Sequence, residues 1–436
     1  MNGASPEADV AFVQDIVGKA CAAGADEAQA RLGHSELIEV DFDTRRVEML
    51  RTTHDDDTLL TVFRSGRKGT AAITSRTPEA IAQAVAEALA AAAAAPADAA
   101  NGIAITEPGP ATTYGPEAAD REYMIDRAVD HIDQMAREFP AIVTRNAYHR
   151  FNRTRRSFAN SAGLTRQETR GRYSFWTLFA GRRNGSATSF NFSGSSSYTP
   201  FARLIEVGSL RRLYSDTVRS FDPAPAPEKF VGDLVIHADA LHELVITPLA
   251  RVLGGYSLLS RTSPYKDRVG QAIVSAGFSL LNRPSPASFP EGMDFDAFGI
   301  PTGDLDVIRD GVLRDFLVDF YISRKLGIKQ TAVWSAFVVA PGTKSTDEII
   351  RETDRGIFLT RYSGGMPGDS LDFSGIAKNA FYVEGGQLRH PLAETMISGN
   401  LRDLLMSIRD ISRDSVNFGN AEYPTIAAGG VTIHGR

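Results

Sequence analysis

His242 and Glu243 open the stretch "HELVITPLARV" (residues 242–252), and their order suggests hydrolytic chemistry. In a zinc-protease helix, two imidazoles one turn apart hold one ion, and the glutamate beside the first polarises its water. The second histidine would stand at position 246, or at 247 in the longer His-Glu-x-x-x-His spacing. The sequence has Ile246 and Thr247 there. His237 lies five residues before His242, at the end of the apolar run "LVIH", and is read as having no acidic neighbour on its C-terminal side. The single cysteine, Cys21, sits in an alanine-rich helical segment, so the C-terminal half has no soft third ligand and the chain no internal disulfide. The expectation is a surface or helix-capping histidine pair. A self-sufficient metallopeptidase using His237, His242 and Glu243, or weak metal binding at His237 and His242, is the rival reading.

Three other patterns bear on function. The acidic run "HDDD" (54–57) lacks the glycine-spaced ligand ladder of a calcium loop and is expected to be a solvated turn. Between Arg145 and Arg183 there are ten arginines and one acidic residue, Glu168, interleaved with Tyr148, Phe151, Tyr173, Phe175, Trp176 and Phe179. That alternation fits an antiparallel sheet with one wet and one dry face. A wet electropositive face could bind nucleic acid, an acidic peptide or another partner, but a net charge of −6 counts against nucleic acid. The glycine pairs at 254–255, 364–365, 385–386 and 429–430 are not followed by Lys-Ser/Thr, so phosphate cradling is unsupported. Turns, or an edge at which an extended peptide adds as a strand, suit them better.

The elements that would position these residues alternate between helix and strand. Ser5-Pro6-Glu7 and Thr77-Pro78-Glu79 read as helix starts. Between them, "LIEVDFDTRRVEMLRTTHDDDTLLTVFRSGRKGTAAIT" reads as consecutive strands with a hairpin turn at 65–69. A linker-like patch (96–118) precedes a helix near 119–138, and residues 141–200 return to strand pattern. Alternate prolines in "DPAPAPEKF" stiffen a boundary. The predicted fold is α+β: an N-terminal α+β domain (1–221), a proline-rich linker (222–230), and a larger antiparallel-sheet-rich C-terminal domain (231–436). With 43% hydrophobic and 23% charged residues the composition is that of an ordinary globular protein. The N-terminal residues do not read as a secretory signal, and Pro96 cuts the alanine tract short of a membrane span. The expected location is the cytoplasm, away from membrane.

Several segments resemble the TldD/PmbA family, long labelled modulators of DNA gyrase. "GVLRDFLVDFYISRKLGIKQT" (311–331) is similar to its strand-then-"Y.ARKLG" segment, and "LDFSGIAKNAFYVEGGQLRHPLAETMISGNLRDLLMSIRDISRD" (371–414) to its most specific block. "FANSAGL", "VFRSGRKGTAAITS" and the closing "YPTIAAGGVTIHG" add matches along nearly the whole chain. The family's block departs here: Leu371 replaces a glycine, and Ile411-Ser412-Arg413-Asp414 replaces "IG.D". The resemblance implies two branches that pair as a heterodimer. One carries His-Glu-x-x-x-His and a distant cysteine and holds zinc; the other, the PmbA/TldE-like branch, lacks them. This chain resembles the second. The implied role is a non-catalytic subunit with no cofactor of its own, beside a TldD-like zinc-bearing partner that cleaves short or unfolded peptides. In that reading the segment after the domain boundary is an ordinary helix entering a glycine-rich turn at Gly254-Gly255. Asp372, Phe373, Ser374, Gly399 and Asn400 are the residues expected to line the substrate passage. Arg324 and Lys325 serve either the partner contact or a helix end.

Overall fold

The computed structural model describes residues 5–333 and 335–435. Residues 1–4 of the segment read as lacking a signal, and the final residue of the C-terminal domain, lie outside that range.

Ser5 begins the helix Pro6–Ala22 because its hydroxyl accepts the Ala8 amide at 3.3 Å, and Thr77 does the same for Ala80 at the start of Pro78–Ala94. In the second helix the alanine composition has a steric cause. A Cβ on Gly69 would collide with the backbone of Ala88 and Ala92, so helix and strand approach closer than larger residues allow. Beneath both helices lies a long twisted sheet. Its strands run in the order Arg67–Ala72, Val47–Arg64, Glu27–Phe42, Ile142–Asn160, Thr165–Arg183 and Ala111–Tyr114, with Asn191–Ser197 also on Thr165–Arg183. All these pairings are antiparallel except that of Ala111–Tyr114.

Strand alternation sorts the sheet into two faces. Leu32, Val40, Phe151, Tyr173 and Phe175 point to one side and are buried under three helices, Pro6–Ala22, Pro78–Ala94 and Arg121–Glu138. Arg156, Glu168, Arg170, Arg172 and Trp176 point to the other. The expected alternation of polar and apolar faces is therefore present, but the polar face is not a wet one, since Arg166, Glu168 and Arg170 on it are buried.

Two predicted loops are strands. Residues 54–57 run through the middle of Val47–Arg64, opposite 33–36, and are not a turn. Arg67–Ala72 covers only residues 59–64 of that strand, so 54–57 form an edge where clustered carboxylates discourage pairing with another chain. The 96–118 patch is not wholly a linker, since Ala111–Tyr114 docks parallel to Thr165–Arg183.

The proline-rich spacer is docked as well: Ala224 N–H donates to Pro391 O at 2.9 Å and Ala393 N–H to Ala224 O at 2.8 Å. Beyond it, Phe230–Ile236 pairs with Arg355–Gly364 on one side and Ala421–His434 on the other. Asp372–Glu384 and Thr395–Asn400 complete the ring, closing five strands on themselves. Leu234, Ile236, Ile357, Leu359, Ile397 and Ile433 pack with the apolar segment that follows His237.

That segment is not an ordinary helix. Ala238–Leu241 is α-helical, His242–Ile246 forms a π turn in which Thr247 N–H bonds His242 O, and Thr247–Val252 resumes the α form. Pro248, without an N–H and with a ring that crowds the preceding turn, explains the widening.

Candidate functional site

The polar face of the first half is covered by the second half. Arg166 Nε donates to Gly299 O at 3.1 Å, and Arg170 donates to Pro290 O at 3.1 Å, to Gly292 O and to Glu168. Asp294 accepts from Tyr114 at 2.9 Å and from Thr112. Arg150 pairs with Glu39 and lies 3.6 Å from the Tyr148 ring, while Arg155, on the helix side, is 2.7 Å from Asp9. The broad electropositive face expected from the sequence is thus largely engaged inside the molecule. Lys325 reaches Asp98 at 2.7 Å and Arg324 reaches Ala99 O at 3.2 Å, so both join the two halves from the end of helix Phe320–Leu326.

A cleft of about 260 Å³ opens where the halves meet beside the π turn. Trp176, Phe192 and Gly194 form its wall from the first sheet; His242, Glu243 and Tyr423 form the opposing wall. At its floor is a buried polar network centred on Asp239. His237 Nδ1 lies 3.0 Å from Asp239 Oδ2, which also accepts from the Ser209 hydroxyl at 2.5 Å. Ser193 donates to Oδ1 at 3.1 Å, and Arg361 reaches the same oxygen at 3.3 Å and the Asp239 carbonyl at 3.2 Å. Asn191 accepts from Arg361 Nε at 3.0 Å, and the guanidinium stacks 3.9 Å from the Phe192 ring. Burial alone would push the Asp239 carboxyl up. The His237 hydrogen bond, the Arg361 charge and the Ser209 hydroxyl outweigh it and hold the group at about 2.

His237 occupies the N-cap of Ala238–Leu241, as the capping expectation had it. Its lack of an acidic partner is corrected: Asp239, two residues on, is that partner. An Nδ1–H shared with a carboxylate at 3.0 Å is a better match than the 3.4 Å approach of the Asp239 amide to the same nitrogen. His242 is exposed at the cleft mouth, where its Nδ1 lies 3.2 Å from the Tyr423 hydroxyl. The surrounding walls desolvate His242 and lower its pKa. They raise that of the adjacent Glu243, which Arg361 partly opposes.

These residues do not fit zinc. Ile246, at one of the two positions for a second histidine, is fully buried in the core. At the other stands Thr247, which carries a neutral hydroxyl in place of an imidazole. His237 already has Nδ1 committed to Asp239. Among the described residues no three His, Cys, Asp or Glu side chains converge on a point suited to an ion.

The residues expected to line a passage lie away from this cleft, at one end of the barrel. Asp372 pairs with Asn400 and Phe373 with Gly399 across two strands. Asn400 Nδ2 donates to Asp372 Oδ1 at 2.8 Å, and that bond, with the Ser370 hydroxyl, lowers the Asp372 pKa. Asn400 Oδ1 also caps Leu401–Met406 by accepting Arg402 N–H at 2.9 Å. Phe373 turns inward at 3% exposure, and a Cβ on Gly399 would stand 3.0 Å from its ring. Only Asp372, Ser374 and Asn400 therefore offer side chains to a visitor. The neighbouring strand ends at the Gly364–Gly375 pair, so among the described residues 372–374 have a strand partner on one side only.

Sequence reasoning missed Asp239, Arg361, Ser193 and Ser209. Asp239 was visible in "HADALHE" as a carboxylate two residues from a histidine; the other three had no local signal.

This architecture, a helix-covered sheet docked on a closed barrel, is that of a known class. Solved TldE from Thermococcus kodakarensis superposes with a TM-score of 0.85 at 20% identity, covering 97% of this chain and all of that one. In sequence, residues 231–435 match the PmbA/TldA metallopeptidase C-terminal domain and residues 28–92 match domain 1 of the same family. Metalloprotease PmbA of Escherichia coli O157:H7 is 24% identical over 424 residues, covering 94% of this chain and 93% of that one. The Haemophilus influenzae PmbA homologue is 24% identical over 448 residues, covering 98% and 95%. The chain belongs to the PmbA/TldD family of metalloproteases.

Proposed function

We propose that this chain is the zinc-free subunit of a cytoplasmic two-subunit metalloprotease, acting beside a TldD-like partner that holds the zinc. One observation carries the reading. At the place where the zinc branch repeats its histidine, this chain has Ile246 sealed in the core and Thr247, while His237 is held by a buried carboxylate. The metal in the partner supplies an activated water when bound. This chain supplies walls. Asp372, Ser374 and Asn400, at a barrel end with one unpaired strand side, suit an extended peptide backbone, with Phe373 and Gly399 shaping the strand beneath. The substrates in this reading are short or unfolded peptides, as in leader removal during peptide natural product maturation or in antitoxin degradation.

The test is co-expression with a zinc-bearing homologue of the family, followed by zinc analysis and peptide cleavage assays with each subunit omitted. Cleavage should require both chains, and His242→Ala in this chain should leave the zinc content of the complex unchanged. Stoichiometric zinc in this chain alone, lost in His242→Ala, would overturn the assignment and return the chemistry to His237, His242 and Glu243.

A further inference from the structure

A second cleft, of about 510 Å³, lies between the polar face of the first sheet and the 291–297 segment of the second half. Arg31, Arg156 and Arg172 line it together with Gly33, Glu291 and Phe295. These arginines differ from their neighbours in how their charge is met. Arg170 has Glu168 and two carbonyls, and Arg155 has Asp9 at 2.7 Å. Arg172 is 3.8 Å from Glu291, beyond hydrogen-bond length, and that carboxylate already accepts from the Ser196 hydroxyl. For Arg156 no carboxylate stands at ion-pair distance among the described residues. Its contacts are a 3.4 Å approach to Phe295 O and the Phe295 ring at 4.6 Å. Arg31 reaches Asp57 only at 4.0 Å.

Asp296, also on the far wall, has Oδ1 turned to the Phe298 and Ile300 amides at 2.8 and 3.0 Å. Burial pushes its carboxyl up, and burial pushes the Arg156 and Arg172 guanidinium groups down. Glu168, opposite Arg156 across the strands, acts on Arg156 and Arg172 only through space, because its oxygens are bound by Arg170 and the Asp294 amide. Two half-buried cations thus face the cavity with no carboxylate at hydrogen-bond distance among the described residues, an arrangement that costs stability unless something negative arrives.

Spacing sets the form of the visitor. Arg172 lies opposite Asn152, four residues along the strand from Arg156. At about 3.3 Å per residue their backbones are roughly 13 Å apart, and strand side chains stand nearly perpendicular to the sheet, so the two forks keep about that separation and one small ion cannot serve both. We infer that this cleft is a binding site for a small ligand carrying two or more oxyanion groups, held by the Arg156 and Arg172 guanidinium forks. The oxyanions are carboxylates of an acidic peptide or phosphates of a small polyphosphate. The site is distinct from the His242 cleft and does not depend on the subunit role proposed above.

Calorimetric titration of the isolated full-length chain tests this without any partner. The probes are inorganic tripolyphosphate and tetraglutamate, with tetraglutamine as the neutral control, all at fixed ionic strength. At least one anionic probe should bind one-to-one, and Arg156→Gln and Arg172→Gln should each weaken it ten-fold or more. Arg45→Gln, an exposed arginine elsewhere, should change binding less than two-fold. Which probe binds tells carboxylate from phosphate. If neither binds, or if Arg45→Gln weakens binding as much as the cleft variants, the inference is wrong. Should Arg156→Gln not fold, Arg156→Lys decides by the same ten-fold criterion, because it keeps the charge and loses the fork.

Discussion

Asp239 shows how a residue in a catalytic-looking neighbourhood can serve structure instead. Its carboxylate is buried at 6% exposure, and both oxygens are engaged by His237, Ser209, Ser193 and Arg361. Its folded-state pKa of about 2 lies below the ordinary aspartate value of 3.8. The unfolded chain therefore takes up a proton before the native state does. The associated stability is present above about pH 4 and is lost as pH falls toward 2. A shift of that size corresponds to about 2 kcal/mol at neutral pH. Asp239→Asn removes this charge and leaves Arg361 buried without its counter-ion, so the loss at pH 7 should be larger, about 3–5 kcal/mol. Urea denaturation of both proteins at pH 7 and pH 3 checks this, and the gap between them should narrow at pH 3. An equal gap at both would remove the carboxylate from the explanation. At this scale the absence of a second histidine was legible, since it needs only position. The polar network was not, because Arg361 lies 122 residues from its partner.

Among the elements, the π turn changes what a spacing means. On a regular α-helix, residues four apart share a face; a π turn bonds residue i to i+5 and so aligns His242 with Thr247. The long His-Glu-x-x-x-His spacing needs such a widened turn, and this chain keeps the turn without the ligand. Reading "HELVITP" as an ordinary helix missed that, although Pro248 was visible in the sequence. Thr247→His should therefore place a second imidazole beside His242, whereas Ile246→His would drive one into the core. Zinc titration should detect weak binding in Thr247→His that is stripped by a chelator, because no third protein ligand completes the site. Binding that survives the chelator, or none at all, would contradict the proposed alignment. Ile246→His should instead lower the melting temperature by replacing a fully buried aliphatic side chain with a polar one. Helix starts at Ser5 and Thr77 and a turn within 65–69 were legible for local reasons, since caps and glycine turns act within a few residues. Only Ser65 and Gly66 form the turn, however, and 67–69 already belong to the strand. Residues 54–57 were misread because an edge strand and a solvated turn expose the same carboxylates.

In the molecule as a whole, the proline-rich segment 222–230 lies between the strands of the first sheet and those of the closed barrel. It does not mark independence. The spacer is hydrogen-bonded to residues 391–393, and arginines that alternate along the first sheet end on carbonyls of residues 290–299. Sequence pattern gave the polar face but not its occupant, because those contacts join residues more than 100 positions apart. Separating the halves would expose Phe158 and Phe295, which pack across the boundary, and would strip Arg170 of two carbonyl partners. Leaving a buried guanidinium with unmet donors costs on the order of 1–3 kcal/mol for each group, before any apolar loss. The two halves should accordingly unfold together. Differential scanning calorimetry is expected to give one transition whose calorimetric and van't Hoff enthalpies agree. Arg170→Ala should shift that single peak downward without splitting it. Two resolved peaks in the unmodified chain, one matching a fragment of residues 1–221, would mean that the interface arginines only decorate two domains that stand by themselves.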